Sequence, residues 1–239
     1  MRVACVIPWR GGQPDRERHH QTVRAHLREL LPDAIHIDAD NGAHPFSRAG
    51  SRNHGVRLAQ DAGADVVVLC DADTLPERDP LMEAIAAARD GVLHLPYVHF
   101  RGLSRRGTAQ YLGGIPLPEC ETESAHDWAT GGVLVITPEA WWRAGGMDER
   151  MVGWGFEDTA FRIAADALLG PTVKHQGTIW HLYHKKTMGL GTPQHTSNGK
   201  LARRYDQAHG DPDAVRKIVA EHNPAVMAAP LQATESADA

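Results

Sequence analysis

The sequence has little that would tie it to a membrane, an oxidising compartment or a nucleic acid. No segment reaches the ~20 consecutive apolar residues of a spanning helix. There are only three cysteines, Cys5, Cys70 and Cys120, and their spacing fits neither a zinc site nor a disulfide framework. Cys5 and Cys70 fall inside apolar runs, where a thiol serves as a small buried hydrophobe. A basic surplus is missing too. The net charge of −5 excludes a general nucleic-acid binder and leaves room only for local basic patches. No internal repeat is present. The opening MRVACVIPWR is too short in apolar residues for a secretory signal and reads as a first strand, so a cytoplasmic protein is expected. What remains, 239 residues with 42% hydrophobic and 23% charged, suits one large α/β domain.

The strongest local signal is ADVVVLCDADTLP, residues 64–76. Val66–Cys70 is an unbroken apolar run with three β-branched residues, too short for a helix, and reads as a strand buried on both faces of a parallel sheet. It ends in Asp71-Ala72-Asp73. Residues two apart in an extended chain point the same way, so both carboxylates are expected to leave together at the carboxyl edge of the sheet, where open α/β sheets bind ligands. Two converging carboxylates repel unless a cation sits between them, and a hard divalent ion bridging to phosphate oxygens meets that need. A plain turn after a strand explains the motif equally well on its own.

Earlier in the chain, VACVIP is a first strand, and Trp9-Arg10-Gly11-Gly12 is the loop that leaves it, a turn or a place to meet an anion. Pro14–Leu31 is helical, with Val23, Leu27, Leu30 and Leu31 on one stripe. Ala34–Asp38 is a second strand. Ser47 or Ser51 caps a helix to about Ala62, with Arg48, Arg52 and Asn53 on its first turns, an arrangement that suits an anion. The order β-α-β-α-β implies right-handed parallel crossovers.

Further on, Asp79–Arg89 is a helix and Val92–Phe100 a strand. Arg101–Glu123, rich in Gly, Pro and charge, reads as a long surface loop. GGVLVIT is another strand, and a short helix with Trp141 and Trp142 follows. Glu157-Asp158 opens a helix after a Gly-flanked loop carrying Trp154. Acids in a first turn complement the helix dipole, but a flat aromatic beside two acids also suits a sugar ring. Thr172–Leu182 holds a last strand leading to His181 and His184, and His181 is a candidate metal ligand. Gly189–Lys200 reads as a mobile loop, and Asp211–His222 as a short helix. Residues 223–239 read as an unstructured tail.

Taken together, these blocks resemble a GT-A glycosyltransferase, most of all the β-1,4-galactosyltransferase family, with a broader likeness to the bacterial family 2 inverting transferases. Ile7-Pro8-Trp9-Arg10 is similar to the family's I-P-F-R. Phe46-Ser47-Arg48-Ala49 with Asn53 and Gly55 resembles F-N-R-A-x-x-x-N-x-G, and Asp71-Ala72-Asp73 stands at D-x-D. Gly145–Glu149 matches G-G-F-D-E, and Gly153–Asp158 resembles G-W-G-G-E-D. His181 with Lys185 and Lys186 resembles H-x-x-D-K-K. The resemblance implies one GT-A domain over residues 1–222, a Rossmann-like nucleotide-binding half (1–75) with a mixed, mainly parallel sheet flanked by helices, and an acceptor half (76–222). It implies that Arg10, Arg48 and Asp71 hold the nucleotide, Asp71 nearest the ribose. Pro8, Asp38, Asn53 and Ala72 complete that set. Asp73 and His181 bind Mn²⁺ (or Mg²⁺). Trp154, Gly132 and Glu157 face the sugars, and Asp158 is the general base. The chain departs from the family in two places at the metal. Ile179-Trp180 stand where the family's Met is expected, and His184 replaces an Asp and competes with His181 as a ligand.

The implied activity is a metal-dependent, inverting transfer of a hexose, of galactose or N-acetylgalactosamine type, from a UDP-sugar to a glycan, lipid, protein or modified nucleobase. Breaking a sugar–diphosphate bond needs charge compensation on the leaving group, and inversion needs one base on the opposite face of the sugar. Two rivals stand beside it. One is a nucleotidyltransferase making a nucleotide sugar, and the other is a catalytically silent carbohydrate-binding domain of the same fold.

Overall fold

The structure, a computed structural model, describes residues 1–185 and 191–228. In chain order its elements are β1 (Val3–Pro8), α1 (Pro14–Leu30), β2 (Ile35–Ala39), α2 (Arg48–Asp61), β3 (Val66–Cys70), β4 (Thr74–Pro76), α3 (Arg78–Ala87), β5 (His94–Leu95), β6 (His99–Leu103), α4 (Arg105–Leu112), β7 (Thr122–His126), β8 (Val133–Ile136), α5 (Pro138–Arg143), α6 (Glu157–Leu168), β9 (Val173–Lys174), β10 (Thr178–His181), α7 (Pro193–Ala208) and α8 (Pro212–Ala220). No helix among the described residues is long and apolar enough to cross a membrane.

A six-stranded sheet in the order β2-β1-β3-β8-β5-β9 forms the centre. The first three strands are parallel, as the βαβαβ pattern predicts. β8 then runs antiparallel to both β3 and β5, and β9 returns parallel to β5. All five residues of β3 are buried, because helices cover both faces of the sheet. α2 approaches β1 so closely that a Cβ on Gly55 would lie 2.2 Å from Val6 Cγ1, so glycine is required there. A second apolar cluster joins α6, α7 and α8 through Ile163, Ala164, Tyr205, Val215 and Val219.

A second, four-stranded sheet, β4-β10-β6-β7, was not expected. Its strands come from segments that read otherwise. Arg101–Glu123 is no loop. Ser104 accepts from the Gly107 backbone N–H at 3.0 Å and starts α4, and β6 pairs antiparallel with β7. Glycine and charge in this stretch belong to a strand edge and a helix cap, where they are tolerated. The expected strand Val92–Phe100 is split between the two sheets as β5 and β6, and Thr172–Leu182 is split likewise as β9 and β10. The expected loop 189–200 is helical from Pro193, with Thr192 as its cap, while residues 186–190, including Lys186 and Gly189, lie outside the described residues. Pro224–Ala228 of the expected tail is a short 3₁₀ turn with Val226 buried. Residues 229–239 lie outside the described residues.

Candidate active site

The chain does not stay extended after β3. The Thr74 backbone N–H donates to the Asp71 carbonyl at 3.1 Å, so Asp71-Ala72-Asp73 is a turn. The two carboxylates therefore do not converge on one ion, as an extended chain would have them do. Each joins a different cluster.

Asp73, 6% exposed, is the oxygen donor of the first. Its Oδ1 lies 3.4 Å from His181 Nε2, and its Oδ2 lies 3.3 Å from His184 Nε2 and 3.2 Å from Arg16 Nη2. β10 delivers His181 by pairing with β4. One ligand atom from each of Asp73, His181 and His184 fits within 4.8 Å of the others. Burial pushes the Asp73 pKa up, but His181, the His184 hydrogen bond and Arg16 outweigh it and hold the carboxyl well below the usual range. His184 is raised, first by its hydrogen bond to Asp73. Two imidazoles and a deprotonated carboxylate at this spacing fit a divalent ion with nitrogen and oxygen ligands. Both histidines stand at the carboxylate.

The second cluster is built round Arg52. Ser47 caps α2 by accepting from Gly50 N–H, and Arg52 follows one turn after Arg48, on the same face. Its guanidinium is 2% exposed. Nη2 donates to Asp71 Oδ1 at 2.5 Å and Nη1 to Asp158 Oδ1 at 2.7 Å. Glu157 Oε1 lies 3.4 Å from Arg48 Nη1 and 3.8 Å from Arg52 Nη1 but accepts no hydrogen bond, so a buried acceptor is left open. Asp158 and Glu157 are presented by a turn in which Gly153, Gly155 and Phe156 all have positive φ. For Phe156, at φ 77°, this is a strained conformation. No side chain caps α6, and Asp158 is engaged by Arg52 rather than by the helix. Burial pushes the Asp158 pKa up to about 7, with Glu157 and Asp71 adding to the rise and Arg52 opposing it. Gly131 packs on this carboxylate, since a Cβ there would sit 2.2 Å from Asp158 Oδ2.

The other expected site residues are spread around these clusters. Pro8 closes β1 opposite Ala39. Arg10 forks onto Asp40 at 2.6 and 2.5 Å and donates to the Ala43 carbonyl, bracing the loop after β2. Asp38 is engaged by His20 and Arg24. Ala72 is buried, and Gly132, at φ 92°, accepts from the Asp71 backbone N–H through its carbonyl. Asn53 is not available to a nucleotide. Its amide donates to the Met147 carbonyl and Glu149 Oε1 and accepts from Trp141 Nε1 and the Met147 N–H, which uses all its capacity. Trp154 is 47% exposed and stacks on His195 of α7, with centroids 5.7 Å apart, not against Glu157 or Asp158. Sequence reasoning placed Arg52 on the right helix but gave it no partner. It missed Arg16 and Gly131 altogether. The spacing of Arg48 and Arg52 was the available signal for Arg52.

The fold is that of the GT-A glycosyltransferases. It is shared with the catalytic domain of Drosophila β1,4-galactosyltransferase 7 in complex with xylobiose (TM-score 0.55, 19% identity, 83% of this chain and 79% of that one). A mutant of the same enzyme holds manganese, UDP-Gal and xylobiose (TM-score 0.57, 19% identity, 82% and 79%). Staphylococcus aureus TarS residues 1–349, in complex with UDP-GlcNAc, also shares it (TM-score 0.57, 10% identity, 93% and 71%). Within that class the chain is similar to the β-1,4-galactosyltransferases. Residues 114–185 match the family described as the N-terminal domain of galactosyltransferase. Human β-1,4-galactosyltransferase 3 is 30% identical over 195 residues, which is 74% of this chain and 43% of that protein. The xylosylprotein 4-β-galactosyltransferase of Caenorhabditis elegans is 23% identical over 223 residues, 87% of this chain and 68% of that protein. The chain thus spans less than half the length of the galactosyltransferase 3 relatives.

Proposed function

We propose that this chain is a Mn²⁺-dependent (or Mg²⁺-dependent) inverting glycosyltransferase that moves a hexose, of galactose or N-acetylgalactosamine type, from a UDP-sugar to an acceptor hydroxyl. The observation that carries this is the pair of unlike clusters after β3, with Asp73, His181 and His184 in one and Asp71, Arg52 and Asp158 in the other. Asp71-Ala72-Asp73 is then the D-x-D motif, its first acid on the nucleotide side and its second on the metal. Bound at Asp73, His181 and His184, the cation supplies positive charge against the departing diphosphate. Imidazole beside carboxylate favours Mn²⁺ over Mg²⁺.

Arg10, Arg48, Pro8, Asp38 and Ala72 border the nucleotide in this reading, and residues 1–75 form its half of the domain. Trp154 and Gly132 border the sugars. Glu157, with its open buried oxygen, accepts from a sugar hydroxyl. Asp158 takes the proton of the acceptor hydroxyl as that oxygen bonds to the anomeric carbon and the bond to the diphosphate breaks, inverting the centre. A carboxylate raised to about 7 is a stronger base than an ordinary one and is still substantially ionised near neutral pH. Cytoplasmic action belongs to the same proposal.

A panel of nucleotide sugars, read by Mn²⁺-dependent thermal stabilisation and hydrolysis, tests the reading. UDP-galactose or UDP-N-acetylgalactosamine should stabilise the protein only with metal present. Pyrophosphate release from UTP and a sugar phosphate points instead to a nucleotidyltransferase, and the absence of any nucleotide-sugar binding points to a silent carbohydrate-binding domain.

A further inference from the structure

The turn that presents Glu157 and Asp158 holds a large side chain in a conformation that suits glycine. Phe156, at φ 77°, is the only non-glycine residue with a positive φ among the described residues. The G-W-G-G-E-D pattern that Gly153–Asp158 resembles has glycine at that place. A Cβ makes the left-handed region costly, so the conformation persists only where the surrounding structure imposes it.

Two residues of α7 impose it. Asn198, 2% exposed, turns its amide onto the backbone of the turn. Its Oδ1 accepts from the Val152 N–H at 3.2 Å, and its Nδ2 donates to the Val152 carbonyl at 3.0 Å and to the Gly155 carbonyl at 3.3 Å. His195, one helical turn earlier on the same face, meets both aromatic side chains of the turn, with centroids 5.7 Å from Trp154 and 5.1 Å from Phe156. Gly199 lies against the Phe156 ring, where a Cβ would sit 3.5 Å from Cε2. Packing does not account for Asn198. Ala202 and Tyr205, four and seven residues further on, belong to the apolar cluster that joins α7 to α6 and α8. An amide buried beside that stripe is costly unless hydrogen-bonded, and the partners of this one are backbone groups of Val152 and Gly155, which lie outside any helix or strand.

The clamp reaches the acids directly. The Gly155 N–H, whose own carbonyl Asn198 holds, donates to Glu157 Oε2 at 3.1 Å, and Asp158 is the next residue. Gly153 also bridges to Ser47, the cap of α2, the helix that carries Arg48 and Arg52. We propose that Asn198 and His195 are positioning residues: they keep Phe156 in the left-handed region and so fix the turn that aims Asp158 at the acceptor hydroxyl. The first two turns of α7 are accordingly part of the catalytic apparatus, although neither residue touches substrate. This inference rests on the glycosyltransferase reading above.

The test uses the full chain with Asn198→Ala, the double variant Asn198→Ala with Phe156→Gly, and His195→Ala as a milder arm should Asn198→Ala not fold. Glycine adopts φ 77° without strain, so the double variant separates a released turn from a general loss of stability. Three readouts are taken: hydrogen exchange of the segment 151–158, the melting shift given by UDP with Mn²⁺, and hydrolysis of UDP-galactose, in which water stands for the acceptor hydroxyl. In Asn198→Ala the segment should exchange faster while the melting shift stays at the wild-type value. Turnover should fall roughly 10–100-fold, with KM for UDP-galactose within about twofold of wild type. Asp158 faces Arg52 and Arg48 of α2, Asp71 after β3 and its neighbour Glu157, and burial is the largest cause of its raised pKa. A loosened turn admits water, so the pH limb of hydrolysis should move to lower pH. The double variant should regain part of the lost turnover. The proposal is overturned by wild-type exchange of the segment, by wild-type turnover, by an unmoved limb, or by a double variant no faster than Asn198→Ala. Absence of a UDP melting shift in the wild type would instead remove the glycosyltransferase reading, and the exchange comparison would still decide whether Asn198 holds the turn.

Discussion

Arg52 Nη1 stands 2.7 Å from Asp158 Oδ1, while Nη2 of the same guanidinium stands 2.5 Å from Asp71 Oδ1. One rigid, planar group therefore joins the end of β3 to the first turn of α6. Lysine could not span both carboxylates. The acid proposed for the nucleotide side and the acid proposed as base share a single counter-charge, and Arg52 opposes the rise in the Asp158 pKa.

The rate should follow the ionisation of Asp158. Asp158 accepts a proton only when ionised, and its pKa is raised to about 7, so kcat/KM should rise as pH climbs through about 7 and level off above it. Asp158→Asn should lower transfer by roughly 10²–10⁴-fold and abolish this limb of the profile. A raised carboxyl pKa makes ionisation costly to the folded state at high pH, so the variant should melt at or above the wild-type temperature at pH 8. A variant within a few-fold of wild-type rate would leave the mechanism without its base.

Arg52→Gln should act on both stability and pH profile. It removes the cation from a cluster of Asp71, Glu157 and Asp158, and stranding buried charge in this way costs about 3–5 kcal/mol. Arg52 lowers the Asp158 pKa, so in the variant the activity limb should move to higher pH. Denaturant unfolding and a pH–rate series check the two effects separately.

At the metal cluster, Asp73→Ala should abolish Mn²⁺-dependent donor binding. His181→Ala and His184→Ala should each raise the Mn²⁺ concentration needed for half-maximal stabilisation by UDP, because both imidazoles stand within 3.4 Å of the carboxylate. Calorimetric Mn²⁺ titrations would settle it, and wild-type behaviour in either histidine variant would remove that residue from the shell.

Much of the site was legible in the sequence, for a physical reason. β3 and the helix opened by Glu157 and Asp158 are announced by local patterns, a β-branched run and a glycine-flanked turn, whereas the grouping of Asp73 with His181, 108 residues away, came only from the family resemblance. The role of Arg52 was not legible. Its partner Asp158 lies 106 residues away, and nothing in periodicity reports a contact at that range. The second sheet was missed because its strands are short and partly exposed, so they show neither a buried run nor clean alternation. Ser104 and Thr192 cap α4 and α7, but each is a single polar residue in glycine- and charge-rich surroundings, which read as loop.

Asn53 illustrates a motif residue with a structural task. Asn53→Ala leaves Trp141 Nε1 and the Met147 N–H without their acceptor inside the protein, and each buried unsatisfied group costs about 1–3 kcal/mol. Chemical denaturation should show that loss. Affinity for a UDP-sugar, measured well below the melting temperature, should stay within about twofold of wild type, since the amide is already saturated.

The pairing of β4 with β10 sets His181 opposite Thr74 and Trp180 opposite Leu75, and the Leu182 N–H closes onto the Asp73 carbonyl at 2.8 Å. A slip of one residue would exchange the faces of the strand and put an indole where an imidazole is needed. With a divalent ion held as proposed, its affinity would be a readout of strand register between segments more than a hundred residues apart. An ion that binds only the correctly paired chain also stabilises it by mass action. In this protein the cation would act as a proofreader of folding before any substrate arrives, and refolding in its presence should enrich the single register that is competent for chemistry.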